Sequence, residues 1–204
     1  MKIKVCGLKE PENILAVAGL NPDYLGFIRY ARSPRYSEEL SAEALSNISP
    51  SIIKTGVFVN EEIDVINSLI KEYGLCAVQL HGGESPKFCR LFKGNIEVLK
   101  AVGVDENFDF GQLNAYADSV DYFLFDTKTA AHGGSGKSFD WALLNNYKLE
   151  VPFFLSGGLS LENLDEIKNI KHPAFYGVDL NSRFETAPGI KDIDKLKEAF
   201  EMLS

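Results

Sequence analysis

The chain has 204 residues, of which 45% are hydrophobic and 25% charged, enough apolar material for a sizeable core and too much for a disordered chain. With 21 Lys and Arg against 29 Asp and Glu, the net charge is −8 and the pI about 5.0. That balance argues against nucleic acid or an anionic membrane as the main partner, because binding many phosphates needs a clustered basic surface. A local anion pocket stays open, since backbone N–H groups can build one without net positive charge.

The elements follow in strict alternation. Strands are expected at Lys2–Cys6, Tyr24–Ile28, Ile52–Val59, Cys76–Leu80, Ile96–Val102, Tyr122–Asp126, Pro152–Leu155 and Ala174–Leu180. Helical patterns lie between and after them, at Pro11–Ala18, Ser37–Asn47, Glu61–Tyr73, Ser85–Phe92, Phe108–Ala117, Phe139–Leu144, Leu161–Asn169 and Asp192–Leu203. In the third of these Ile63, Ile66, Leu69 and Ile70 recur at helical spacing, and in the last Ile193, Leu196, Phe200 and Leu203 do the same. Alternation with short connections implies a parallel sheet with right-handed crossovers. A Rossmann sheet should show GxGxxG after its first strand, and Cys6-Gly7-Leu8-Lys9-Glu10 lacks it. Eight units of about 25 residues sit near the lower limit for a closed barrel. The expected fold is therefore α/β, a single (β/α)8 barrel of the TIM type, in one domain over residues 1–204.

Three cysteines, Cys6, Cys76 and Cys89, form neither a disulfide framework nor a CxxC site, which fits a reducing compartment. The N-terminus has too short an apolar run for a signal peptide, and no stretch approaches the ~18 apolar residues of a membrane span. A cytoplasmic protein without membrane contact is expected. The three histidines and three cysteines show no metal-ligand spacing, so no metal is expected.

In such barrels the chemistry sits where strands end. Cys6 closes the first strand; it reads as a small buried hydrophobe, or as a base or nucleophile favoured by Lys4 two residues back on the same face. Lys4 would then point into the interior, where it needs a partner. With Lys4 beside it, the thiol is expected to ionise below the ordinary ~8.5. Asp126 ends the apolar run Tyr122-Phe123-Leu124-Phe125, as a turn cap or as a catalytic acid. The glycine-rich stretch from His132 to Lys137 follows, but no glycine sits five residues before Gly136, so a P-loop reading is weak. Ser156-Gly157-Gly158 after the seventh strand, and Asn181-Ser182-Arg183 after the eighth, occupy the usual phosphate position of such barrels; the bland alternative is two tight turns. Asp179 stands at the end of the eighth strand. Arg35 reads as a carboxylate clamp or a solvated loop charge, His81 as a substrate hydrogen-bonder or a structural histidine. His132 and His172 read as surface residues, and Cys76 and Cys89 as packing residues.

In order along the chain, KVCGLK, GFIRYARSPRY, GVFVN, VQLHGGE, LFDTK, GGSGKSFDW, FFLSGGL, GVDLNSRFE and PGIKD resemble the phosphoribosylanthranilate isomerase family of tryptophan biosynthesis. The resemblance spans residues 2–194. It implies a compact (β/α)8 barrel and an Amadori rearrangement of N-(5-phosphoribosyl)anthranilate without metal or organic cofactor. Asp126 matches the general acid and Cys6 the general base. Arg35 matches the arginine on the anthranilate side; Gly157, Gly158 and the segment from Asn181 to Arg183 match the two phosphate loops; His81 and Asp179 fall among the substrate-binding positions. Many family members carry glycine where this chain has Arg183, which is strained there if the position needs a positive φ. The implied partner is a small phosphosugar, with the chain a monomer or homodimer. A related isomerase of the histidine pathway would carry aspartate at position 6 and a second phosphate site. A binding barrel that had lost catalysis would lack Cys6 or Asp126.

Overall fold

The computed structural model describes residues 1–128 and 138–204. Eight parallel strands, β1 (Lys2–Cys6), β2 (Tyr24–Ile28), β3 (Ile53–Phe58), β4 (Ala77–Leu80), β5 (Glu97–Val104), β6 (Tyr122–Thr127), β7 (Phe153–Leu155) and β8 (Phe175–Leu180), close into a barrel in sequence order. Strand β1 pairs with both β2 and β8, with Lys4 opposite Tyr24 on one side and Asp179 on the other. The strands are apolar on both faces because both are covered, as parallel sheets require.

Two cores result. One lies between the sheet and the outer helices, where Ile14 and Val17 of α1 (Pro11–Ala18), Ile66 of α3 (Ile63–Tyr73) and Leu196 and Ala199 of α6 (Ile193–Leu203) are fully buried. The other fills the barrel with Tyr24, Ala77, Leu99, Ala101, Leu124 and Phe154. Its lower end is an aromatic floor, with Tyr24 edge-on to Phe154 at 5.2 Å, Tyr122 edge-on to Phe154 at 5.6 Å and Tyr176 against both. The hydroxyl of Tyr24 donates to Glu97 Oε2 at 2.9 Å, and that of Tyr122 lies 3.5 Å from the hydroxyl of Tyr176.

All eight expected strands form, within two residues of their expected ends. Helix α1 forms over its expected residues and α3 and α6 nearly so, but the others are shorter or more tightly wound. The stretch at Ser37–Asn47 gives only α2 (Ala42–Ser46), Ser85–Phe92 gives α4 (Pro86–Arg90), and Leu161–Asn169 gives α5 (Leu164–Ile167). After β5 and before β7 the chain forms 3₁₀ turns, Phe110–Tyr116 and Trp141–Asn146. The physical reason is local competition: Asp109 accepts from Gly111 N, Asn114 donates to Gly111 O, and Asp140 accepts from Ala142 N, each tightening the turn. A short antiparallel hairpin of β9 (Glu185–Ala187) and β10 (Ile190–Lys191) follows β8 and was not anticipated. Among the described residues, no helix is long and apolar enough to cross a membrane.

Candidate active site

At the C-terminal ends of the strands, Cys6, Arg35, Gln79, His81, Asp126, Ser156, Asp179 and Asn181 line one small cavity of about 60 Å³. A neighbouring hollow, lined by Asp126, Gly157, Gly158, Asn181 and Ser182 among others, continues from it. Strands β1 and β6 are three places apart around the ring, so Cys6 and Asp126 enter the mouth from opposite walls. A larger hollow of about 550 Å³ lies between Tyr147 and His172, in the loops leading into β7 and β8, at the opposite end of the barrel.

Beneath the thiol, Lys4 points into the barrel and pairs with Asp179 at 2.9 Å, both fully enclosed. Cys6 is only 2% exposed. Burial pushes its thiol above the ordinary value, and the pull of Lys4 and Lys191 downward does not overcome it. The expectation of a lowered thiol is thereby corrected: Lys4 spends its charge on Asp179, and desolvation dominates.

Asp126 is also desolvated, and burial raises its carboxyl to about 6, against the opposing hydrogen bond from Thr127 N to Oδ1 at 2.8 Å. Its other oxygen lies 3.6 Å from His81 Nε2. His81 Nδ1 is 3.1 Å from the side-chain amide of Gln79. Gly157 (φ +84) and Gly158 (φ +69) make the turn after β7. A β-carbon on Gly157 would lie 2.5 Å from Thr127 N and 2.6 Å from Asp126 Oδ1, so only glycine lets this loop pass beside the acid.

A half-buried proton donor of raised pKa, a buried thiol and a glycine turn able to hold an anion at one barrel mouth suit acid–base chemistry on a phosphorylated small molecule. Known proteins narrow this. The family model described as N-(5'phosphoribosyl)anthranilate (PRA) isomerase matches residues 3–202. The chain belongs to the phosphoribosylanthranilate isomerase family. A relative of that name from Parabacteroides distasonis is 47% identical over 206 residues, covering 100% of this chain and 93% of its own. The solved phosphoribosylanthranilate isomerase of Thermotoga maritima is 36% identical with a TM-score of 0.83, covering 99% of this chain and 98% of its own. Another solved family member, 32% identical with a TM-score of 0.81 and covering 98% and 97%, is a complex with reduced 1-(o-carboxyphenylamino)-1-deoxyribulose 5-phosphate.

In this phosphoribosylanthranilate isomerase chain the remaining site positions fall as follows. Arg35 is no solvated loop charge: it forms a forked pair with Glu185, Nε 2.9 Å from Oε1 and Nη2 2.8 Å from Oε2. Asp179 is 4% exposed and held by Lys4, at the base of the cavity it helps to line. Arg183 lies in the 3₁₀ turn Ser182–Phe184, outside the positive-φ region, so the strain that glycine would relieve does not arise. His172 is half-buried and not on the surface; its ring bridges Tyr147 O and Ala174 N. Cys89 is buried as expected, but Cys76 is exposed, one residue before β4. His132 and the glycines up to Gly136 lie outside the described residues.

Sequence reasoning missed several supports. Lys191 and Glu185 arrive on the hairpin, and only the Pro-Gly pair at 188–189 hinted at a turn there. The loop carrying His81 is tied down by Glu84, which accepts from Asn60 N and Gly82 N and pairs with the buried Lys100 at 3.1 Å. No residue pattern distinguishes Lys100 from an ordinary strand lysine; only the barrel's closure buries it.

Proposed function

We propose that the chain isomerises N-(5-phosphoribosyl)anthranilate to 1-(2-carboxyphenylamino)-1-deoxyribulose 5-phosphate, in the tryptophan pathway and in the cytoplasm. The single observation that carries the reading is the pairing of Asp126, raised to about 6, with the buried thiol of Cys6 across one mouth. In this reading the protonated Asp126 gives its proton to the ribose ring oxygen, the C1–O bond breaks, and the anilino nitrogen's lone pair makes the C1=N bond of a Schiff base. Cys6, as thiolate, then takes the proton from C2, and the released electron pair gives an enolamine. The thiol returns a proton to C1 while the C2 hydroxyl loses its proton to the Asp126 carboxylate, leaving the ketose. Both groups end as they began, and every step is a proton transfer. Each acid–base group of this kind is worth ~10²–10⁴-fold.

The phosphate sits on the turn of Gly157 and Gly158 with Asn181, Ser182 and Arg183 opposite, where backbone N–H groups can reach it. Arg35 takes the carboxylate on the anthranilate ring, and His81, 3.6 Å from the Asp126 carboxylate, steadies it once it has given up its proton. Asp179 keeps Lys4 in place beneath the thiol. The chain acts as a monomer or a homodimer; a solved relative from Thermotoga maritima is described as dimeric.

Turnover of phosphoribosylanthranilate, followed as loss of its anthranilate-type fluorescence, tests the reading. Wild type should turn over, while folded Cys6→Ser and Asp126→Asn should each lose at least ~10²-fold in kcat. Full activity in either variant removes that residue from the mechanism, and no turnover by wild type removes the function.

A further inference from the structure

Arg35, assigned above to the substrate carboxylate, is already engaged. Its Nε lies 2.9 and 3.0 Å from the two oxygens of Glu185, and Nη2 lies 2.8 Å from one of them. A guanidinium matched in this forked way to one carboxylate forms a neutral pair, with little charge left for a second anion.

Lys191 changes that balance. Its Nζ stands 2.7 Å from Glu185 Oε1 and 2.8 Å from Asn181 Oδ1. Burial pulls the Lys191 ammonium below its ordinary value and Glu185 opposes this. With Lys191 charged, two cations share one carboxylate, and all three side chains are enclosed: Arg35 12%, Glu185 4% and Lys191 0% exposed. The nearby Asp179 also feels Lys191, but its ion pair is with Lys4 at 2.9 Å. With the Cys6 thiol protonated, as its burial favours, the cluster carries surplus positive charge, which is costly unless an anion completes it. Arg35 faces the cavity that also holds Cys6, which is where a ligand would supply that anion.

The arrangement is built. Lys191 and Glu185 are register partners across the β9–β10 hairpin, and Gly189 N donates back to Glu185 Oε1 at 3.1 Å. The backbone of Lys191 is locked to α1 from both sides, donating to Asn13 Oδ1 at 2.7 Å and accepting from Asn13 Nδ2 at 2.9 Å. Gly7 leaves the space in which Arg35 Cδ and Asn181 Oδ1 meet; a β-carbon there would be 2.7 Å from each.

We propose that Lys191 is a specificity-determining positioning residue: by neutralising Glu185 it leaves the guanidinium of Arg35 a full charge for the substrate's ring carboxylate. The inference rests on the assignment of Arg35 made under Proposed function. Glu185 aims the guanidinium, and Lys191 cancels the charge that aiming introduces.

The test compares dissociation constants for two probes, the product 1-(2-carboxyphenylamino)-1-deoxyribulose 5-phosphate and its analogue lacking the ring carboxylate. Wild type should prefer the carboxylated probe. Lys191→Met should cut that preference roughly 10- to 100-fold, the range of a charged hydrogen bond; any effect through Asn181 on the phosphate is common to both probes and cancels in the ratio. Glu185→Gln combined with Lys191→Met removes both charges and should restore the preference, a result that a merely structural role for Lys191 does not give. Retained preference in Lys191→Met, or no recovery in the double variant, overturns the proposal. Arg35→Met separates the two readings: if it keeps the preference, the assignment of Arg35 fails. If it loses the preference while Lys191→Met keeps it, only the role of Lys191 fails. Should circular dichroism show Lys191→Met unfolded, Lys191→Gln is read by the same criteria, since it keeps a donor for Asn181 without the charge.

Discussion

Gly26 on β2 and Cys6 on β1 are so close that a β-carbon on Gly26 would stand 2.5 Å from the thiol sulfur and 3.1 Å from the Cys6 backbone. The absence of a side chain on one strand thus makes the seat for the thiol on the next. Gly26→Ala should push the thiol out of line, costing the ~1–3 kcal/mol of an overpacked core and most of the activity. Measuring kcat alongside urea unfolding checks this; unchanged kcat in a folded Gly26→Ala enzyme shows that the thiol tolerates displacement.

The pH dependence follows from two shifts of known direction. The proposed mechanism needs Asp126 protonated and Cys6 ionised, although Asp126 titrates near 6 and burial holds the thiol above its ordinary ~8.5. Above 6 the protonated acid declines as fast as thiolate accumulates, so the two changes cancel. The expected kcat/KM rises up to about pH 6, stays flat, and falls only above the thiol's own pKa. Iodoacetamide at neutral pH should accordingly label the exposed Cys76 first, without loss of activity. An activity that climbs steadily from pH 6 to 8 contradicts this ordering.

Asp126 also links pH to stability. Its carboxyl titrates at about 6 in the fold against ~3.9 unfolded, so between these values the native state holds the extra proton. Stability contributed by the proton is complete below the unfolded value and is lost as pH rises through about 6. The resulting cost at pH 8 is at most ~3 kcal/mol, from a shift of about two units. Asp126→Asn should therefore raise Tm at pH 8 and leave it nearly unchanged at pH 4, while turnover collapses. Equal Tm for both proteins at pH 8 would mean the carboxylate is better solvated than its burial indicates.

For the anion, inorganic sulfate should compete weakly with substrate. Gly158→Val should raise KM more than it lowers kcat, because φ of +69 suits no β-branched residue and its side chain would crowd the ligand. Sulfate inhibition that is not competitive, or an unaltered KM, would move the phosphate elsewhere in the mouth.

The barrel was legible because each strand is a short apolar run ending in polar or glycine residues, a pattern that depends on neighbouring residues alone. Cys6, Asp126 and the glycines after β7 were visible for the same reason, as they break such runs. What escaped notice depends on residues far apart in the chain. Gly26 matters only through β1, Lys191 through Glu185 and Asn181, and the state of Cys6 through the burial that closure imposes. Lys4 was rightly read as needing a partner, but that partner lies 175 positions away and takes the charge meant for the thiol. The helices were overextended because an amphipathic pattern does not register the Asp and Asn side chains that tighten a turn.

The aromatic floor has an isotopic consequence. With Tyr24, Tyr122, Phe154 and Tyr176 packed below and Cys6 itself 2% exposed, the sulfur communicates with bulk solvent only past whatever fills the mouth. A proton lifted from C2 then has one acceptor within reach, the neighbouring carbon of the same molecule. Substrate deuterated at C2 should deliver its label to C1 of the ketose even in ordinary water. A leak below the thiol, opened by Tyr24→Ala, should turn that internal hand-over into exchange with the medium.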